Sequence, residues 1–197
     1  MGYDIQQYNT TEKLLFLMVS SVDHITGQAG LIPGVSLTVT VSKNGAAFAA
    51  PAGAITEIAS GWYQVAANAV DANIAGPLIL HALGPVMLTL AGVVVGHTVT
   101  INGVVFTAAG APNWPAQVFD QSGGDAADAL SLAGAINHAA AQALFLAGGL
   151  TVTATPVGAV VTLAIGGPAA DALVVTSVGG TITALKVCDP TDEIFDV

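Results

Sequence analysis

Short runs that alternate apolar and polar residues, closed by an Asn-Gly pair, constrain this chain more than any other feature. In residues 36–42, SLTVTVS, the side chains of Leu37, Val39 and Val41 fall on one face of an extended segment, and Lys43-Asn44-Gly45 follows. The pattern recurs later, where Val99 and Ile101 alternate before Asn102-Gly103, and Val104 and Phe106 continue after it. Successive side chains of a strand point to opposite faces, so alternation with period two predicts half-buried strands. Asn-Gly accepts the positive φ that a two-residue hairpin turn demands, and it therefore predicts tight antiparallel returns.

Other segments fit the same architecture. Residues 14–19, LLFLMV, form a continuous apolar run, expected as a strand buried on both faces. Residues 20–30 read as loop, 55–58 and 62–65 as short strands around Ala59-Ser60-Gly61, and 68–73 as one helical turn ended by Gly76-Pro77. The spacing of strands and turns is that of an all-β, sandwich-like unit.

The pattern changes in the second half. Residues 110–121 hold Pro112, Trp114 and Pro115 and read as loop. Residues 126–146 repeat at helical spacing through Leu130, Ala133, Ile136 or Asn137, and Ala140. Asp125 is expected as the helix N-cap, Asp128 favours the first turn, and Gly148-Gly149 supplies the stop. Strands are expected at 150–155, 159–165 and 172–177, so a β-hairpin, one helix and three further strands make an α+β unit. Residues 189–192, Asp-Pro-Thr-Asp, are turn chemistry, and 193–197 are expected as a closing strand. The expected fold class is mainly β.

Composition narrows function by exclusion. Of 197 residues only 8% are charged, with three lysines (Lys13, Lys43, Lys186), no arginine, and a net charge of -10. Nucleic-acid binding requires basic side chains that displace counterions from phosphates, so a nucleic-acid partner is not expected. An anionic membrane surface is excluded on the same ground. Residues 78–95 are apolar over the roughly 18 residues that raise the question of a membrane span. Gly84-Pro85 and Gly92 interrupt that run, it carries His81, and no basic residue flanks it, so two buried strands are expected instead. The first residues, MGYDIQQYNTTEK, are polar, lack a basic leader region and lack the Ser/Thr of a myristoylation signal. A cytoplasmic site of synthesis is the expectation.

Apolar residues make up 53% of the chain, with a mean hydropathy of +0.74. So much apolar surface with so few charges is reconciled by burial between subunits, as in obligate assemblies.

No motif carries recognisable chemistry. Asp23-His24 lies in a loop with no second ligand at metal spacing, and His81 sits in an apolar strand as a core or interface residue. His97 opens a strand and His138 lies on the helix; no HExxH, CxxC or HxH occurs. Gly-rich residues 178–181 lack the lysine of a phosphate loop. Asp120, Asp125 and Asp128 lack the spacing of a calcium loop and read as helix-capping residues, while Asp189, Asp192 and Glu193 read as turn residues. Cys188 is the sole cysteine, which leaves no intrachain disulfide, and it is read as a passive strand residue. No catalytic residue, metal or cofactor is expected. Three residues are expected at protein interfaces: Trp114 at a loop tip, Trp62, and Phe16 in the first apolar run. Trp62 and Tyr63 should point to opposite faces, one into the core and one outward.

Residues 14–82 resemble a domain common in virion proteins of tailed bacteriophages and prophages, through LLFLMVSSVDHITGQAGL, VTVSKNGAAFAAPAGAITEIASGWYQV and GPLILHA. In that family the final apolar strand runs almost directly into an Asp-Pro-x-Asp turn and a last strand. Here that ending, CDPTDEIFDV, stands at 188–197. The intervening HTVTINGVVFTA, DAADALSLAGAIN and LTVTATPVGAVVTLAI resemble a module of phage tail and fibre proteins. The resemblance implies a discontinuous β-sandwich domain, 1–85 plus 186–197, with an inserted α+β domain at 86–185. It also implies a non-enzymatic structural protein of the virion. The expected role is capsid decoration or cementing, and the alternative is a tail- or fibre-associated adaptor, baseplate or host-contact component. The expected partners are the major capsid protein or tail proteins and further copies of the chain, with a trimer as the expected homo-oligomer.

Overall fold

The computed structural model describes residues 3–4, 11–167, 169–188 and 191–196. The chain divides into two compact units, Met1–Gly84 with Val187–Val197, and Pro85–Lys186. Each break lies one residue from the position expected above.

The strands of the first unit are β1 (Tyr3–Asp4), β2 (Leu14–Leu17), β3 (Thr38–Lys43), β4 (Ile55–Ala59), β5 (Trp62–Val65) and β6 (Pro77–Leu83). The second unit contains β7 (Val86–Leu90), β8 (Thr98–Ile101), β9 (Val104–Ala109), β10 (Val118–Asp120), α1 (Asp125–Asn137), α2 (Ala139–Ala147), β11 (Thr151–Val157), β12 (Val160–Gly166), β13 (Val175–Val178) and β14 (Ile182–Lys186). The chain then returns to the first unit as β15 (Thr191–Asp196).

In the first unit a four-stranded sheet, β1-β15-β6-β3, and a three-stranded sheet, β2-β5-β4, share one core. Alternation decides which side chains enter it. Leu14, Phe16, Tyr63 and Val65 come from the smaller sheet, and Val39, Val41, Leu78 and Leu80 from the larger. The Phe16 and Tyr63 rings stack at 5.6 Å. The Tyr63 hydroxyl donates to the Gln28 carbonyl at 3.1 Å and accepts from the Leu31 amide at 2.9 Å, which pins the long β2–β3 loop to the core. Cys188 is buried in the same cluster and bridges to Ser20, outside any regular strand.

Three expectations change here. Residues 14–19 are not buried on both faces: Leu14 and Phe16 are buried, whereas Leu15, on the outer side of β2, is 45% exposed and Leu17 is half-buried. Phe16 is 0% exposed and belongs to the core; its place opposite Tyr63 on the inner face removes it from any interface. The Asn44-Gly45 turn forms with positive φ at both residues, but the returning chain contributes only one bridge, Val41 to Ala49, and no paired strand. The turn expected at 189–192 involves residues 189 and 190, which lie outside the described residues.

The second unit has two four-stranded sheets, β11-β12-β7-β14 and β10-β9-β8-β13. Asn102 (φ 46°) and Gly103 (φ 83°) join β8 to β9 as a two-residue hairpin, with Ile101 opposite Val104. The apolar run at 78–95 is cut at Gly84-Pro85 into β6 and β7. Helix α1 contacts strands of both sheets of its unit. Ala133 and Ile136 of the expected stripe are buried, together with Ala129 and Leu132, while Leu130 is exposed, so the stripe shifts at its N-terminal end.

The single helix expected over 126–146 is two helices. Asn137 turns its amide to β11, donating to the Ala154 carbonyl at 2.8 Å and accepting from the Ala154 amide at 2.9 Å. His138 is extended, and its Nδ1 caps α2 by accepting from the Ala140 amide at 3.2 Å. The two helices bend by 57° there. Among the described residues no single helix is long and apolar enough to cross a membrane. Among the described residues three strands went unanticipated: β1 near the start, β10 within the expected loop, and β14 after the Gly179-Gly180 turn.

Candidate functional site

The first candidate surface is the outer face of the three-stranded sheet. Register places Leu15, Gln64 and Thr56 in one row and Leu17, Trp62 and Ala59 in the next. Trp62 is 47% exposed while Tyr63 is fully buried, as strand alternation requires. The second row is aliphatic and aromatic, the first adds Gln64 donating to the Thr56 hydroxyl at 3.0 Å, and neither carries a charged residue. A face of this composition gains free energy when covered, on the order of 25 cal/mol per Å² of apolar area before association costs.

The second lies in the other unit, around Trp114. The loop is not irregular: Asn113 and Val118 exchange backbone hydrogen bonds at 2.9 and 3.0 Å around a short 3-10 turn at Trp114–Ala116. Gln117 closes it in the left-handed region (φ 55°). The Trp114 ring lies on α1 where residue 134 is glycine. A Cβ there would stand 2.8 Å from Trp114 Cζ2, so only glycine permits the contact. Trp114 remains 40% exposed and forms part of a cleft of about 500 Å³ with Pro112, Leu130, Pro156 and Asp128. That volume falls in the range of small-ligand sites.

Polar groups of this cleft are nearly all engaged. Ser131 Oγ accepts from the Asp120 amide at 2.8 Å, Asp120 Oδ1 accepts from the Ser122 amide at 2.9 Å, and Asn137 is tied to β11. Asp128 is the exception: it is 1% exposed, and its Oδ1 has no hydrogen-bond partner among the described residues. Burial pushes its pKa up, the Gly123 backbone N–H opposes that, and the charges of Asp125 and Asp120 add to the rise. Asp120 is held below the usual carboxylate range by hydrogen bonds from the Ser122 backbone and side chain. The N-cap of α1 is Gly124 and not Asp125, whose Oδ1 instead accepts from the Gly92 amide at 2.6 Å. Neither cleft signal, the orphaned oxygen nor the glycine beneath Trp114, is visible in a one-dimensional pattern. Only Trp114 itself was legible.

The remaining candidates have structural roles. Asp23 accepts from the Ile25 and Thr26 amides at 3.0 and 2.9 Å and from the Thr26 hydroxyl, which lowers its pKa to about 2. His24, next to it, occupies a turn with φ 58°. His81 on β6 meets the Phe48 ring edge-on at 5.8 Å. His97 Nδ1 pairs with Thr181 Oγ1 at 2.6 Å. Among the described residues no three His, Cys, Asp or Glu side chains are grouped to hold a metal ion. Compared with known proteins, the chain matches no family model, no curated protein and no solved structure.

Proposed function

We propose that this chain is a non-enzymatic structural protein of a tailed-bacteriophage virion, a capsid decoration protein that acts by packing against its neighbours. The observation that carries the reading is the outer face of β2 and β5, where, among the described residues, Leu15 and Trp62 stand half-exposed with no charged residue paired beside them. The phrases at 14–82 and 188–197 that resemble phage virion domains support it, as does the scarcity of basic residues, which leaves protein surfaces as the suitable partners. The natural partners are the major capsid protein and further copies of the chain, assembled as a trimer. In this role the protein cements by burying apolar area between capsomers. A second reading, a tail- or fibre-associated component, is favoured by the resemblance of residues 97–165 to tail modules.

Gel densitometry of purified particles tests both. A copy number near that of the major capsid protein supports decoration, and a small multiple places the chain in the tail. Absence from particles removes both readings. For decoration, particles lacking the chain should release DNA at lower temperature; equal release temperatures would remove the cementing role.

A further inference from the structure

The Trp114 cleft combines features that select a particular chemistry. Its exposed wall is apolar and aromatic, and among the described residues its one buried side-chain polar atom without a hydrogen-bond partner is a carboxylate oxygen, Oδ1 of Asp128, a residue 1% exposed. Two more carboxylates, Asp120 and Asp125, act on Asp128 electrostatically, and the unit's only lysine, Lys186, is its last residue. A buried acceptor lacking a donor is costly, and this one lies in a site of uniformly negative sign. The missing partner is therefore a donor, and a cationic one is favoured over a neutral one. An aromatic face at the rim suits a delocalised cation on an apolar stem.

We propose that the cleft receives an arginine side chain of a partner protein, with the stem against Trp114 and Leu130 and the guanidinium on Asp128. The assignment rests on the reading of the chain as a protein-packing component, and it names the chemistry of the partner's contact. In the free chain the carboxylate is sealed, so the incoming group reaches it through a rotamer change at Asp128. Burial of the pair within the cleft gives it specificity, because a neutral isostere leaves the negative charge unbalanced and an acidic side chain is repelled.

The test uses the full chain carrying Trp62→Phe, so that fluorescence reports Trp114 alone. n-Butylguanidinium should bind saturably and shift that emission, and neutral n-butylurea should bind at least tenfold more weakly. Asp128→Asn should weaken guanidinium binding at least tenfold while leaving the circular dichroism spectrum unchanged. Arginine capped at both ends as an amide should bind at least as well as free agmatine. Equal affinity for the charged and neutral probes, or undiminished binding by the Asp128→Asn chain, overturns the site. Binding of agmatine without capped arginine overturns the partner side chain in favour of a free amine. These titrations need no particle, so their failure is distinct from absence of the chain from virions.

Discussion

The two units each bury an aspartate, and they treat it in opposite ways. In the first unit Asp71 is 5% exposed, and both its oxygens are used, accepting from the Ala52 and Gly53 amides at 2.9 Å each. In the second, Asp128 is equally hidden, yet one oxygen has no partner among the described residues. A carboxylate that fastens a loop and a carboxylate held in reserve are the same residue type at the same depth. What separates them is whether the fold supplies donors. The first arrangement stabilises its unit; the second costs stability that a partner would return.

The largest effect should come from removing the satisfied group. Asp71→Ala strands two backbone donors, one of them on buried Gly53, and should destabilise the first unit by about 2–3 kcal/mol. Urea unfolding followed by unit-resolved amide exchange reads this, and a loss confined to a few tenths would mean that water replaces the carboxylate without penalty. Next in size, Gly134→Val drives a branched side chain into the Trp114 ring and should cost about 1–3 kcal/mol in the second unit, with a shifted Trp114 emission. Unchanged emission in the Trp62→Phe background would show that the ring does not depend on the glycine.

Asp128→Asn should have the opposite sign, stabilising the second unit by about 1 kcal/mol, since a buried carboxyl group with one oxygen lacking a hydrogen-bond partner among the described residues is replaced by an amide that carries no charge to desolvate. Loss of stability on that substitution would make Asp128 a structural residue like Asp71. The smallest effect concerns pH. Asp23, with a pKa lowered to about 2, contributes stability that is full above the ordinary value of 3.8 and disappears as pH falls from there to about 2. Asp128 runs the other way: its raised pKa makes the second unit lose stability as pH climbs above 3.8. Acid titrations should therefore show Asp23→Asn flattening the low-pH limb of the first unit, and Asp128→Asn flattening the rise on the other unit's acid side. Identical profiles for variant and parent would break the contrast.

Legibility in the sequence followed the range of the interaction concerned. Local rules located the Asn102-Gly103 hairpin and the division of the apolar run at Gly84-Pro85, because turn geometry and strand length are written in adjacent residues. The helix break at His138 was hidden: Asn137 leaves the helix for β11, a long-range exchange with Ala154 that no helical periodicity encodes. β10 was missed because its three residues, within a Pro-rich loop, find their strand partner in β9, which is already closed by its own hairpin. Of the expected interface residues, Trp62 and Trp114 stand on the surface and Phe16 does not. An uninterrupted apolar run cannot say which of its faces a sheet will cover, and here the covered face took Phe16 and left Leu15 outside.

Hydroxyl-radical footprinting of Trp62 and Trp114, in the free chain and in purified particles, tests most directly whether these surfaces are meant to be covered. Both indoles should oxidise readily in the free chain, and at least fivefold more slowly in the particle, Trp62 most of all. Equal oxidation in the two states would mean that the apolar face of β2 and β5 stays in water, and the account of this protein as an adhesive between protein surfaces would be wrong.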